Sequence, residues 1–138
     1  MNPLILYWWL GITQVKDYWN IKKEKIMENL NNALKYDDKQ AVSNIGIIYD
    51  KLSREERDKI IQDDNFMELM LKVQIKYPKL TGTTLYKAKQ ALIEHYMIRH
   101  ILHYPEEYYL SKMQPIFNSL SPKEQKKCQK YLEKMASR

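Results

Sequence analysis

The stretch YDDKQAVSNIGIIYDKLSREERDKIIQ, residues 36–62, carries the reading of the fold. Asp37 and Asp38 precede a run in which Ala41, Val42, Ile45, Ile48, Tyr49 and Leu52 recur every three or four residues. That period puts them on one side of a helix, and a carboxylate just ahead of it accepts hydrogen bonds from first-turn amides. Ser53-Arg54-Glu55-Glu56 then forms a capping box. The Ser53 hydroxyl accepts from the first turn while Glu56 reaches back to the Ser53 amide, so a second helix starts there and runs to about Gln62.

The same grammar extends in both directions. Downstream, Asp63-Asp64 opens a helix carrying Phe66, Leu69, Met70 and Val73 and ending before Pro78. Lys79 to Thr83, with Gly82, reads as a linker. A long helix is expected from Thr84 to His103, stopped by Tyr104-Pro105. Glu106 to Leu120 reads as helical but interrupted near Pro115, which lacks an amide proton. Ser121-Pro122-Lys123-Glu124 is a second capping box, opening a final helix to about Ala136. Upstream, Ile26, Met27, Leu30, Ala33 and Leu34 mark a helix over residues 21–36. Asn2-Pro3 opens an earlier one to about Asn20, with Gly11 inside it.

No segment alternates in the β manner, and three Gly and five Pro leave little material for hairpins. The expectation is one all-α domain over residues 1–138, a compact bundle or array of about eight helices with short connections.

A shift of 68 residues lays one part of the chain on another without a gap. Leu34, Tyr36, Ser43, Ile48, Leu52, Ser53, Glu56 and Lys59 meet Leu102, Tyr104, Ser111, Ile116, Leu120, Ser121, Glu124 and Lys127. Two duplicated three-helix units would produce this echo, and so would two segments sharing one capping grammar. A second repeat reading starts from Leu10-Gly11 and Ile45-Gly46, one tetratricopeptide length apart. Asn44-Ile45-Gly46 with Tyr49 resembles the first helix of such a repeat. Lys23 and Asp58 stand near the places where its second helix needs small residues.

The chain is 44% hydrophobic and 29% charged, which suits a folded globule rather than a disordered segment. One cysteine, Cys128, forms no intramolecular disulfide, and with three histidines it does not build a zinc site. A reducing, cytoplasmic setting is expected. The apolar start, Pro3-Leu4-Ile5-Leu6-Tyr7-Trp8-Trp9-Leu10, lacks the basic flank of a signal peptide. It is also shorter than the ~20 apolar residues that span a bilayer. Adjacent Trp8 and Trp9 are candidate anchors for a partner, against the plainer role of core residues.

His95, Arg99 and His103 are spaced to lie along one side of the long helix, the side that also holds Leu85, Ala88, Leu92, Tyr96 and Leu102. A buried polar cluster is expected there, because charge on an apolar side needs a partner or a task. The pair Arg99 and His103 resembles the Arg-and-His signature of HEPN-domain ribonucleases, an all-helical family. That family places four to six residues between the two, whereas His100, Ile101 and Leu102 make three here. The resemblance implies RNA cleavage by Arg99 and His103.

The final helix carries Lys123, Lys126, Lys127, Lys130 and Lys134 on one stripe, with Cys128, Tyr131, Leu132 and Met135 opposite. Such a stripe neutralises phosphates, or is the solvated face of an amphipathic helix. Between Leu69 and Ile93 the charges are all basic, while Glu55 to Glu68 is acid-rich, a split that steers partners or pairs internally. Tyr104, Tyr108 and Tyr109 cluster around Pro105 and are candidate interface anchors.

No phosphate-binding glycine loop, nucleophile triad or metal ligand set is present in the sequence. The function expected is therefore non-enzymatic: an adaptor, inhibitor or assembly subunit that binds another protein, with no cofactor. The alternatives are a nucleic-acid binder using the lysine stripe and a HEPN-like ribonuclease. A net charge of +6 leans toward an anionic partner.

Overall fold

In the computed structural model, backbone is described for residues 3–137 and side chains for residues 19–137. Among the described residues there are seven helices and no strand. They are α1 (Pro3–Lys35), α2 (Lys39–Asp50), α3 (Arg54–Ile61), α4 (Asp64–Lys76), α5 (Leu85–Leu102), α6 (Tyr108–Asn118) and α7 (Pro122–Ala136). The chain is all-α. The helices group into two compact units, residues 1–69 and 70–138, and the division falls within α4.

The two helices expected on either side of Asn20 are one continuous helix, which brings the number from about eight to seven. Gly11 does not end it. A glycine inside a helix costs only ~1 kcal/mol relative to Ala, and nothing between Gly11 and Tyr36 supplies a proline to stop propagation. Pro115 likewise sits inside α6 without ending it. Proline removes one hydrogen bond, but it lies on the exposed side of α6. Met113, Ile116 and Phe117 pack inward on the same helix and offset the loss.

The caps expected at Asp38, Ser53 and Ser121 form, whereas the one expected at Asn2 lies outside the described residues. Asp38 accepts from the Ala41 amide at 3.0 Å, and Asp63 from the Phe66 amide at 3.0 Å. Thr84 caps α5 by accepting from the Lys87 amide at 3.2 Å. Both capping boxes close completely, Ser53 with Glu56 and Ser121 with Glu124. Gly82 takes φ +74° in the turn between α4 and α5, a conformation costly to side chains bearing a Cβ.

In the first unit α1 packs on α2, and Ile26, Leu30 and Ala33 of α1 are buried, as are Ala41, Val42 and Ile45 of α2. Each fully buried leucine or isoleucine contributes roughly 1.5–3 kcal/mol relative to exposure. The Lys22 ammonium lies 3.3 Å from Glu56, and Lys23 lies 2.7 Å from Asp63, so α1 is tied to the N-termini of α3 and α4. Among the described residues, a Cβ placed on Gly46 would meet nothing within 4 Å.

In the second unit α5 packs on α6 and α7. One buried cluster joins Leu71, Leu92 and Tyr96, flanked by Ile75, Tyr109 and Met113. Another joins Ile93, Leu120 and Cys128, flanked by Tyr86, Phe117 and Leu132. The Tyr131 hydroxyl donates to Glu94 at 2.9 Å, fixing α7 to the middle of α5.

Several positions 68 apart share their local structure. Leu52 and Leu120 are both 5% exposed, and Ile60 and Cys128 are both buried. Ser53 and Ser121 both cap helices through the same reciprocal pair of bonds.

Candidate functional site

The feature with the most chemistry is the corner where α5 turns into α6. His103 closes α5, its amide donating to the Arg99 carbonyl at 3.0 Å. The Glu106 amide donates to the His103 carbonyl at 2.9 Å, and the His100 Nδ1 lies 3.0 Å from the Glu106 carbonyl oxygen. These bonds hold a turn that includes a cis Tyr104-Pro105 peptide.

Rings pack around this turn. Tyr109 is half-buried, with ring centroids 6.4 Å from Tyr96, 5.5 Å from His103 and 5.1 Å from Tyr108. The Tyr108 contact is edge-on, the geometry that aromatic quadrupoles favour. Tyr104 meets the His100 ring at 6.0 Å, also edge-on, and the Lys112 ammonium lies 5.5 Å from the Tyr108 centroid. Tyr109 is thus the floor of the cluster, while Tyr104 and Tyr108 face solvent at 76% and 55% exposure.

Of the three tyrosines, Tyr108 and Tyr109 are in ring contact with each other, and the ring contact of Tyr104 is with His100. Trp8 and Trp9, the other candidate anchors, lie outside the residues whose side chains are described.

The last turns of α5 carry further exposed apolar residues. Ile98, Ile101 and Leu102 are 43%, 66% and 65% exposed. Met97, Ile98 and Ile101 of α5 also line a shallow apolar groove with Leu132 and Met135 of α7. Ile98 and Ile101 thus belong to the groove beside α7, whereas the ring contacts of the corner involve Tyr96, His100 and His103 on α5. Neither isoleucine belongs to the apolar side expected of the long helix. The available signal was their offset from the Leu92–Tyr96 line.

His95, Arg99 and His103 do lie along one line of α5, but in a wetter setting than their apolar neighbours implied. His95 and Arg99 are half-buried and His103 is exposed, and no charged or polar residue is buried among the described ones. The buried residues of α5 are Ala88, Leu92, Ile93 and Tyr96. Leu85 and His103 fall in line with them, two turns before Leu92 and two turns after Tyr96. Both are exposed because they occupy the two ends of the helix, past the elements that cover its middle. The His95 ring lies 5.8 Å from that of Tyr96.

On α7, Lys123, Lys126, Lys127, Lys130 and Lys134 are all exposed. Opposite them Cys128 is buried, and Tyr131, Leu132 and Met135 are half-buried. The Lys127 ammonium sits 4.9 Å from the Tyr86 ring centroid. Burial raises the Tyr86 phenol above its ordinary range, with Cys128 and Glu124 adding to the shift, and burial raises the Cys128 thiol. The thiol is a packing residue and stays protonated at neutral pH.

Among the described residues no three His, Cys, Asp or Glu side chains are placed to hold a metal ion. No described helix is long and apolar enough to cross a membrane. Comparison of the chain with protein-family models, with curated proteins and with solved structures gives no match.

Proposed function

We propose that this chain is a protein-binding module whose second unit takes its partner on the exposed apolar residues at the end of α5 and the start of α6. The observation that carries the reading is the run of solvent-facing apolar side chains from Ile98 to Tyr108. Ile98, Ile101, Leu102, Tyr104 and Tyr108 are each at least 43% exposed within that short segment. Isolated exposed apolar residues are ordinary; a concentrated group with aromatic members marks an interaction site. Tyr104 and Tyr108 act as anchors, Tyr109 holds Tyr108 from beneath, and the isoleucines supply area. An adaptor, inhibitor or assembly subunit needs this and no reactive group.

The scaffold under the surface supports a second reading, that the chain arose from a duplicated helical unit. The paired capping boxes and the matched buried positions Leu52 with Leu120 and Ile60 with Cys128 favour it.

The test of the binding reading is affinity capture with the full chain beside two variants, Ile101→Ser/Tyr104→Ser and Lys126→Glu/Lys130→Glu. A protein retained by the wild type and the lysine variant, and lost by the corner variant, supports the proposal. A protein retained equally by all three refutes the assigned surface. Metal-independent cleavage of RNA, abolished by Arg99→Ala, would instead make the molecule a ribonuclease.

A further inference from the structure

We infer that the lysine stripe of α7 is a second binding surface, separate from the apolar corner, that takes the phosphodiester backbone of duplex nucleic acid without reading its bases.

Three observations combine. The first is that the positive charge on α7 is not neutralised locally. Its five stripe lysines are exposed, and none forms an ion pair with a described acid. The helix carries two acids against the five lysines, and neither forms an ion pair with a stripe lysine. The Glu124 carboxylate turns back to accept from the Ser121 amide at 3.0 Å, completing the capping box. Glu133 accepts from Gln129 at 3.5 Å. The contact of Lys127 with Tyr86 orients that ammonium over a ring face without cancelling its charge.

The second observation is that α7 is a fixed platform. Its N-terminus is closed by both bonds of the capping box, Cys128 is fully buried, and Tyr131 is bonded to Glu94 of α5. A helix held in place keeps its charges in register and loses little entropy when a ligand docks.

The third is the shape of the charge array. Apart from the adjacent pair Lys126 and Lys127, successive stripe lysines are three or four residues apart, about 4.5–6 Å along the axis, and the whole stripe is about 16 Å long. Duplex nucleic acid offers one phosphate charge per ~1.7 Å of axis, a regular array that such a row can follow at several points at once. Ammonium groups act as point charges and lack the fork that reads base edges, so binding is to the backbone. A lipid surface fits less well. Interfacial helices insert an apolar side, whereas the apolar side of α7 is packed into the unit at Cys128 and Leu132.

Fluorescence polarisation of the full chain against labelled duplex DNA and duplex RNA, at 50 and 200 mM salt, tests this. With three phosphates neutralised, affinity should fall about 40-fold between the two salts. Lys126→Glu/Lys127→Glu/Lys130→Glu should abolish binding, and the milder Lys126→Gln/Lys130→Gln/Lys134→Gln should weaken it, with helicity by circular dichroism unchanged in both. Ile101→Ser and the remote Lys51→Glu should bind as wild type. Binding to either duplex with this salt dependence supports the proposal. Absence of binding at 50 mM salt, binding unmoved by either triple variant, or tighter binding to phosphatidylserine vesicles than to both duplexes would each overturn the proposal.

Discussion

The Arg57 guanidinium donates from Nε to the Tyr49 carbonyl at 3.2 Å, reaching from the second turn of α3 to the end of α2. Its Nη2 donates to the Asp50 carbonyl at 3.0 Å, and the guanidinium lies 5.1 Å from the Tyr49 ring centroid. Gln125 does the same between α7 and α6, donating to Phe117 at 3.2 Å and to Leu120 at 3.3 Å. In each unit a side chain four residues past the capping serine donates to carbonyls at or just past the end of the preceding helix, where the Tyr49 and Phe117 carbonyls also accept from the Leu52 and Leu120 amides.

Removal of these bonds should cost stability in both units. Arg57→Ala is expected to lower it by about 1–2 kcal/mol and Gln125→Ala by about 0.5–1.5 kcal/mol, since charged donors contribute more. Urea denaturation of each variant and of the double variant measures this. The two losses should add within ~0.5 kcal/mol, as for sites that share no partner. A larger coupling would show that the two corners are not independent.

Leucines of α1 and α5 should divide sharply by position. Leu30 and Leu92 are 0% and 1% exposed, so Leu30→Ala and Leu92→Ala should each cost about 2–5 kcal/mol through lost burial and the cavity left behind. Leu85 and Leu102 are 47% and 65% exposed, and their alanine variants should stay within ~0.5 kcal/mol of wild type. Thermal melts followed by circular dichroism decide the matter. A wild-type melting temperature for Leu92→Ala would contradict the assigned core of α5.

Acid should weaken the first unit. Hydrogen bonding to the Ser53 backbone, with further help from Lys22, holds the Glu56 carboxyl below its ordinary 4.5. The Lys23 ammonium and the Phe66 amide hold Asp63 below its ordinary 3.8. A carboxyl whose folded pKa is depressed gives stability that is fully present above the unfolded value and is lost as pH falls through the folded one. Stability should therefore hold from neutrality to just above 4.5 and decline below it through these two groups. In Lys23→Met the decline due to Asp63 should shrink, read as a flatter urea midpoint between pH 5 and pH 3. An unchanged slope would remove Lys23 as the cause.

The all-helical class, the element starts and the positions of the caps were legible in the residues themselves. The Ser53 and Ser121 capping boxes, the carboxylate caps at Asp38 and Asp63 and the Gly82 turn depend on atoms within a few positions of each other. Local hydrogen bonding is written locally, so one chain suffices to read it. Periodicity also identified the inward sides of the helices, as with Ile26, Leu30 and Ala33 in α1.

Only the tertiary structure decided how far along each side burial extends. Leu85 and His103 share a line with Leu92 and Tyr96, yet lie exposed where the covering elements end. Ile98 and Ile101 gain meaning as surface only because α7 lies beside α5 with a groove between them. The seating of Lys127 over Tyr86 likewise joins residues far apart in the chain. Side-chain spacing fixes an angle around a helix axis, whereas exposure also depends on which distant helix arrives and where it stops.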